Sequence, residues 1–420
     1  MKDQTRSGLL LYAIFGSYFA YGLFTAATGS LSVPIMATYA LDAAQRGLMI
    51  TMQGLGSILV VLFSLLFGDR LNKYTLFLSG LLAMGLLGII ISFQPGAAMF
   101  TFLLFLWGSG IMLVDTTGNS LISDNFRSTQ NKHIPHLHLS FGIGMVLSNL
   151  ITLLVLSQIE SAAWPAIYLV YGSVSLLAAL FFLTAAYLNR KSSPYGQAAR
   201  SKEKLDLGKY FGVPATWKIF SSMFLYSVFL CSIWTWLPYQ WEKELGYSHS
   251  LSMLAVSIFY LGALFSRLLL PVFLKKHTPQ QLIFTGCILG ALTAALAFIM
   301  PIPAIAILLT VLGGFLTGAI IPVFALLAFR IFPEKTAFAA ALVMMSMCAA
   351  AFITPWIAGE IAKTASMTLA LLLSCLCLLA SAPIAASIKT GSRQPEPVQA
   401  GLQNEIMAKE TELVDPLQND

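Results

Sequence analysis

Charge is what this sequence has least of. Of its 420 residues only 10% are Asp, Glu, Lys or Arg, while 57% are hydrophobic; a soluble domain carries roughly 25% charged residues. A chain so poor in charge cannot cover a water-facing surface, so most of it must meet lipid. Cysteine is also scarce. The five present (Cys231, Cys287, Cys348, Cys375 and Cys377) all fall in apolar runs, and none sits in a Cys/His cluster of metal-site spacing. They read as small hydrophobes facing lipid or core. No Gly-x-x-x-x-Gly-Lys-Ser/Thr stretch occurs, which argues against ATP-driven work. Clustered His, Asp or Cys nucleophiles are missing too, so neither an enzyme nor a bound cofactor is expected.

What is present is a succession of long apolar runs. A helix needs about 20 apolar residues to cross the hydrocarbon core. Outer-membrane strands would instead show alternating segments of about 10 residues. In lipid the backbone must be satisfied within the segment, which makes these runs helices. Breaking the chain at polar clusters predicts twelve spans: Leu9–Met36, Gly47–Phe67, Tyr74–Phe93, Ala98–Ile122, Leu137–Ile159, Trp164–Leu188, Trp217–Trp241, Ser250–Leu274, Gln281–Met300, Ile302–Ile331, Ala337–Ile361 and Met367–Ile388. The first run is too long for the apolar core of a signal peptide. The expected organisation is an N-terminal six-helix bundle (1–188), a basic linker (189–216), a C-terminal six-helix bundle (217–389) and a polar, disordered tail (390–420).

Lysine and arginine are distributed unevenly over this pattern. With the N-terminus inside, twenty of the 24 fall on the cytoplasmic side, three (Arg46, Lys243 and Lys363) on the opposite side, and Arg267 within a span. The positive-inside rule then predicts cytoplasmic termini, an inner-membrane location and a cytoplasmic linker. Anionic lipid accounts for the basic linker without nucleic acid. An internal repeat is also visible. Shifted by 206 residues, Gly56 falls on Gly262, Asp69-Arg70 on Lys275-Lys276 and Gly80 on Gly286. Pro34 and Pro238 close the first span of each half. Two homologous bundles around a midplane site form a transporter architecture.

The loop after span 2 reads Ser64-Leu-Leu-Phe-Gly-Asp69-Arg70-Leu-Asn72-Lys73. It resembles the signature loop of the major facilitator superfamily, Gly-x-x-x-Asp-Arg/Lys-x-Gly-Arg/Lys-Arg/Lys. Asp69, Arg70 and Lys73 match, whereas Leu65 and Asn72 replace glycines. The resemblance implies an all-α membrane fold of twelve helices in two six-helix bundles. It also implies a gating role for this loop, with Asp69 accepting hydrogen bonds at the end of a C-half helix and Arg70 paired nearby.

Span 4 carries Asp115-Thr116-Thr117-Gly118-Asn119-Ser120. An acid inside a span costs at least about 2.5–3.5 kcal/mol, so it faces a bundle interior or cavity and has a task. The run resembles the Glu-Thr-x-x-Asn-Pro stretch of the fucose–galactose–gluconate proton symporters, with Asp for Glu and Ser120 for Pro. There the acid faces the central cavity and takes part in proton coupling. Those symporters also carry an acid late in span 1, where this chain reads Thr28-Gly29-Ser30-Leu-Ser32. Span 5 opens Leu137-His138-Leu-Ser-Phe141-Gly142-Ile-Gly144, similar to a stretch of that subfamily's wider relatives.

These readings make Asp115 and His138 candidates for proton coupling, since imidazole titrates near neutral pH. A protonated carboxyl also costs less to occlude than an ionised one. Candidates for solute contact are Asp115, Thr116, Asn119, Ser30 and, by stacking, Trp234 or Trp236. Arg267, the one basic residue placed in the hydrocarbon, is expected at the interface of the bundles. The expected function is alternating-access movement of a small polar solute, with a sugar suggested by the resemblance and a proton or sodium ion as partner. The expected protein is a monomer in contact with lipid. Export of a hydrophobic compound and a non-transporting sensor on the same fold are the alternatives.

Overall fold

The computed structural model describes residues 2–67, 71–126, 129–158, 163–189, 211–332 and 336–389. The expected linker, apart from its ends, the polar tail, and the loop residues Asp69 and Arg70 lie outside them. Among the described residues every regular element is a helix, and twelve are long and apolar enough to cross a membrane.

The spans are Lys2–Ser30, Ala43–Phe67, Lys73–Ser92, Ala97–Asn125, Gln130–Gln158, Pro165–Asn189, Pro214–Lys243, Ala255–Phe273, Pro279–Ile299, a tenth in two pieces (Pro303–Thr317 and Ile320–Ile331), Thr336–Thr364 and Met367–Ala386. Twelve crossings put the start of span 1 and the end of span 12 on one face, the terminal face; the other is the distal face. Residues Met1–Ile388 form one compact unit.

Helix ends are set by local chemistry. Asn72 caps span 3, its side chain accepting from the Tyr74 and Thr75 amides. Thr278 and Gln281 form a reciprocal capping box at span 9. Glu244, just past span 7, accepts from the Met367 and Thr368 amides and so caps span 12 of the same bundle. Each device satisfies amides that a helix start leaves orphaned.

Spans 1 and 10 depart from the expected pattern. The run Leu9–Met36 is not one helix: it breaks at Leu31 and resumes as Ser32–Tyr39. Pro238, at the matching place in the second half, stays inside a continuous helix. Span 10 also breaks, around Gly318-Ala319.

Two large hydrophobic cores form, each built mainly from one half. Trp107, Trp164 and Tyr18 sit in the first; Trp236, Trp241 and Tyr226 sit in the second. The internal repeat governs how each half packs. A Cβ at Gly56 would stand 2.0 Å from the Phe105 carbonyl oxygen of span 4, and one at Gly262 would stand 1.9 Å from the Val311 carbonyl oxygen of span 10. Gly80 and Gly286 repeat the relation, at 2.8 Å from Gly110 O and 2.7 Å from Leu316 O. Small residues let membrane helices approach backbone to backbone, and here equivalent glycines place spans 4 and 10 identically in their bundles.

Candidate functional site

The two halves meet along seams toward the distal face. Span 2 runs against span 11, where Gly47 and Gly54 face the backbone of Pro355 and Ala351. Gly29 of span 1 lies against the Trp234 carbonyl of span 7. Ser257 of span 8 donates to the Val146 carbonyl of span 5 at 2.8 Å. At the rim, Lys363 and Asp42 form an ion pair across the halves at 3.0 Å. Asp42 also accepts from the Gln45 amide, which with Lys363 holds its carboxyl below the usual range. At the terminal face the polar links among the described residues stay within one half. Lys73 pairs with Asp124 at 2.8 Å, Tyr74 donates to Asn125 at 2.7 Å, and Lys218 donates to the Ser387 carbonyl at 3.1 Å. Spans 4 and 10 share no substantial packing. Among the described residues the halves are closed at the distal face and share no polar link at the terminal face.

Beneath the distal closure lies a cavity of ≈ 90 Å³ shared by both halves. Its polar lining includes Tyr21, Thr28, Gln53 and Trp234, and its apolar lining includes Ile50 and Met347. Several polar atoms here are buried without a partner, among them Thr28 Oγ1 and Gln53 Oε1. Buried polar groups normally find partners, so an orphaned pair lining a cavity between two bundles marks a place where a solute can supply them. Cys231 and Cys348 also line this space, where the sequence had suggested lipid or core; both are free thiols.

Asp115 is buried, 4% exposed, one turn from the lining residues Ile111 and Met112 on the same helix. Its carboxylate is within electrostatic range of Tyr18 and Tyr21 of span 1 and of Cys348 of span 11. Tyr18 Oη donates to the Asp115 backbone carbonyl at 2.6 Å and accepts from Asn119 Nδ2 at 3.0 Å. The ring of His138 meets the Tyr18 ring edge-on at 6.1 Å, and its side chain is exposed. Asp115 and His138 are therefore not a contacting pair; Tyr18 stands between them. Arg267 belongs to the same region. Its Nε donates to the Gly318 carbonyl at 3.0 Å, at the break in span 10, and its guanidinium lies 6.0 Å from the Tyr260 ring centre. A Cβ on Gly142 of span 5 would come within 3.7 Å of it.

The other sequence candidates separate. Trp234 lines the cavity, but Trp236 is fully buried in the second core, donating Nε1 to the Pro355 carbonyl. Ser30 is buried and bonds back to Ala27 O, and Thr116 bonds back to Met112 O. Neither Ser30 nor Thr116 lines the cavity. Lys73 is engaged with Asp124, and its loop neighbours Asp69 and Arg70 lie outside the described residues. No group of three His, Cys, Asp or Glu able to hold a metal ion is found among the described residues.

Arg46 corrects the sequence reading most sharply. Counted there as a distal loop charge, it lies in the first turn of span 2 and is fully buried. Its Nη2 donates to the Thr28 carbonyl at 3.0 Å, and its Nε reaches Ser32 Oγ at 3.4 Å. These partners flank the break at Leu31, so the guanidinium fastens the interruption of span 1. Arg267 is thus not the one basic residue within the helices. Tyr18, Gln53 and Thr28 were missed because single polar residues in an apolar run carry no signal of the face they occupy.

The sequence model of the Major Facilitator Superfamily matches residues 13–303 and again 219–414. The chain belongs to that superfamily and is a multi-pass membrane protein. Among solved structures, the fold is similar to a bacterial homologue of the human lysosomal transporter Spinster in an inward-facing, unoccupied conformation. That likeness has a TM-score of 0.72 at 14% identity, over 91% of this chain and 96% of the other. It is equally similar to the nucleoside transporter NupG, with TM-score 0.72 and 14% identity over 91% and 98%. At such identity the likeness is one of fold. A search of curated proteins finds no match.

Proposed function

We propose that this chain is a proton-coupled secondary transporter that moves a small uncharged solute across the cytoplasmic membrane by alternating access. The observation that carries the reading is the placement of one buried acid, Asp115, beside a cavity that both halves build beneath the distal closure. An acid held inside a span is a functional site by default. Ionised, it resists occlusion; protonated, it does not, which lets a proton bias one conformation over the other. Tyr18 and Asn119 fix the segment that carries Asp115, and the His138 ring of span 5 meets Tyr18 edge-on.

The charge bias, twenty to two once Arg46 is counted within span 2, favours a cytoplasmic terminal face, which makes the conformation described inward-facing. Residues 1–188 and 217–389 act as the two rocking bundles, joined by the 189–216 linker. The loop Asp69-Arg70 serves as the cytoplasmic gate of the outward-facing state. Single cysteines placed at Ser192 and Gly246 test the orientation, because they should label from opposite sides. The coupling is tested by uptake into proteoliposomes under an imposed pH gradient, with uncharged solutes including sugars and nucleosides. A second reading, export of a hydrophobic compound, draws on the apolar lining at Ile50, Ile111, Met112 and Met347. It predicts movement out of the cytoplasm in the same assay.

A further inference from the structure

We propose that the solute is a neutral cyclic amide, a compact flat heterocycle with N–H beside C=O, read by the side-chain carboxamide of Gln53. The proposal rests on the reading of the cavity as the solute site and goes beyond it in naming the chemistry.

Charge comes first. No charged side chain lines the cavity. Arg46, one turn before Ile50 on the same face of span 2, is not among the lining residues and gives its Nη2 to the Thr28 carbonyl, and Asp115 lies a turn beyond the lining. An ion entering this space would lose its water without a charged side chain in the wall to meet it. A net-neutral solute fits.

Hydrogen bonding narrows the class. Two of the five wall hydroxyls are already engaged. Ser57 Oγ donates to the Gly108 carbonyl at 3.1 Å, and Thr25 Oγ1 donates to the Tyr21 carbonyl at 3.0 Å. The buried atoms left without partners are Gln53 Oε1, Thr28 Oγ1 and Trp234 Nε1, the last beside the Tyr260 hydroxyl but short of a hydrogen bond. A carboxamide presents a carbonyl oxygen next to an NH2. Whichever way it is turned, it pairs in bidentate fashion with an edge that puts a donor beside an acceptor, as Gln does with a base edge. A hexose would bring five hydroxyls, spread around its ring, to a lining that is mostly apolar, and each hydroxyl left buried and unpaired costs affinity. The rest of the lining, with Ile50 and Met347 near the Trp234 indole, suits a flat and largely apolar body.

Uracil is the probe, and calorimetry or thermal shift of the purified full chain is the readout. Saturable binding of uracil is expected, with none of glucose. Gln53→Leu should weaken uracil binding at least tenfold while leaving the melting temperature unchanged. As a check independent of folding, 1,3-dimethyluracil, which lacks both N–H donors, should bind the wild type at least tenfold more weakly. Binding of glucose in preference to uracil, absence of saturable uracil binding, or equal affinity for the dimethylated ring would each overturn the assignment. Asp115→Asn separates this claim from the one beneath it, because it should still bind uracil. Uphill uptake that survives in that variant removes the coupling role and leaves the solute class standing.

Discussion

Replacing Gly54 with alanine should tilt the molecule out of its distal-closed conformation. A Cβ at Gly54 would stand 2.6 Å from the Ala351 carbonyl oxygen, 2.7 Å from its carbonyl carbon and 2.7 Å from Phe352 Cα. All three are backbone atoms, so no side chain can swing aside. Spans 2 and 11 would have to part by roughly 0.8 Å to restore van der Waals contact. Overpacking of this size costs about 1–3 kcal/mol, and the cost falls only on the state in which the two spans touch. The equilibrium should therefore move toward distal opening by about 5- to 150-fold. The assay is modification by a membrane-impermeant maleimide of a cysteine at Ile50, in a background lacking the five native cysteines. Gly16→Ala is the control. Nothing lies within 4 Å of a Cβ there, so it carries the same gain in helix propensity without the clash. Labelling from the distal side should rise for Gly54→Ala and stay level for Gly16→Ala. Equal or reduced labelling of Gly54→Ala would refute the claim that this seam closes the molecule.

Other perturbations separate structural from functional residues. Trp236→Ala removes a fully buried side chain and should lose on the order of 3 kcal/mol of stability. Trp234→Ala should melt near the wild type but weaken solute binding; matching melting losses would contradict the division between core and cavity. At the distal face, His249 Nδ1 pairs with Glu242 at 2.7 Å, and that hydrogen bond raises the imidazole pKa above its ordinary value. The pair's contribution is fully present below about pH 6.5, the unfolded value, and is lost as pH rises through the raised folded value. His249→Gln should therefore flatten the decline of melting temperature on the alkaline side of that range, and an unchanged pH profile would refute it.

Much of the fold was legible because hydropathy and charge asymmetry act over whole segments. The 206-residue repeat even located the glycines that seat spans 4 and 10. The site was legible only in part. Asp115 stood out because an acid in lipid is costly whatever its orientation. Trp234 and Trp236 could not be told apart, since residues two apart on a helix face different ways and the sequence does not say which way is inward. Arg46 was misread for a related reason. A basic residue near a helix end looks interfacial until the neighbouring helix is seen to break there and offer it the Thr28 carbonyl. Tyr18 gave no signal, because its role comes from span 4 lying beside span 1, a matter of packing and not of pattern.

The most direct test of the account is accumulation of uracil, or of another uncharged solute that binds, in proteoliposomes under an inward proton gradient, with wild type and Asp115→Asn side by side. The wild type should concentrate the solute above the external level and lose that ability when a protonophore collapses the gradient. Asp115→Asn, fixed in the uncharged form, should bind and exchange solute but only equilibrate it. Uphill accumulation by Asp115→Asn with the wild-type pH dependence would contradict the assignment of Asp115 as the coupling group.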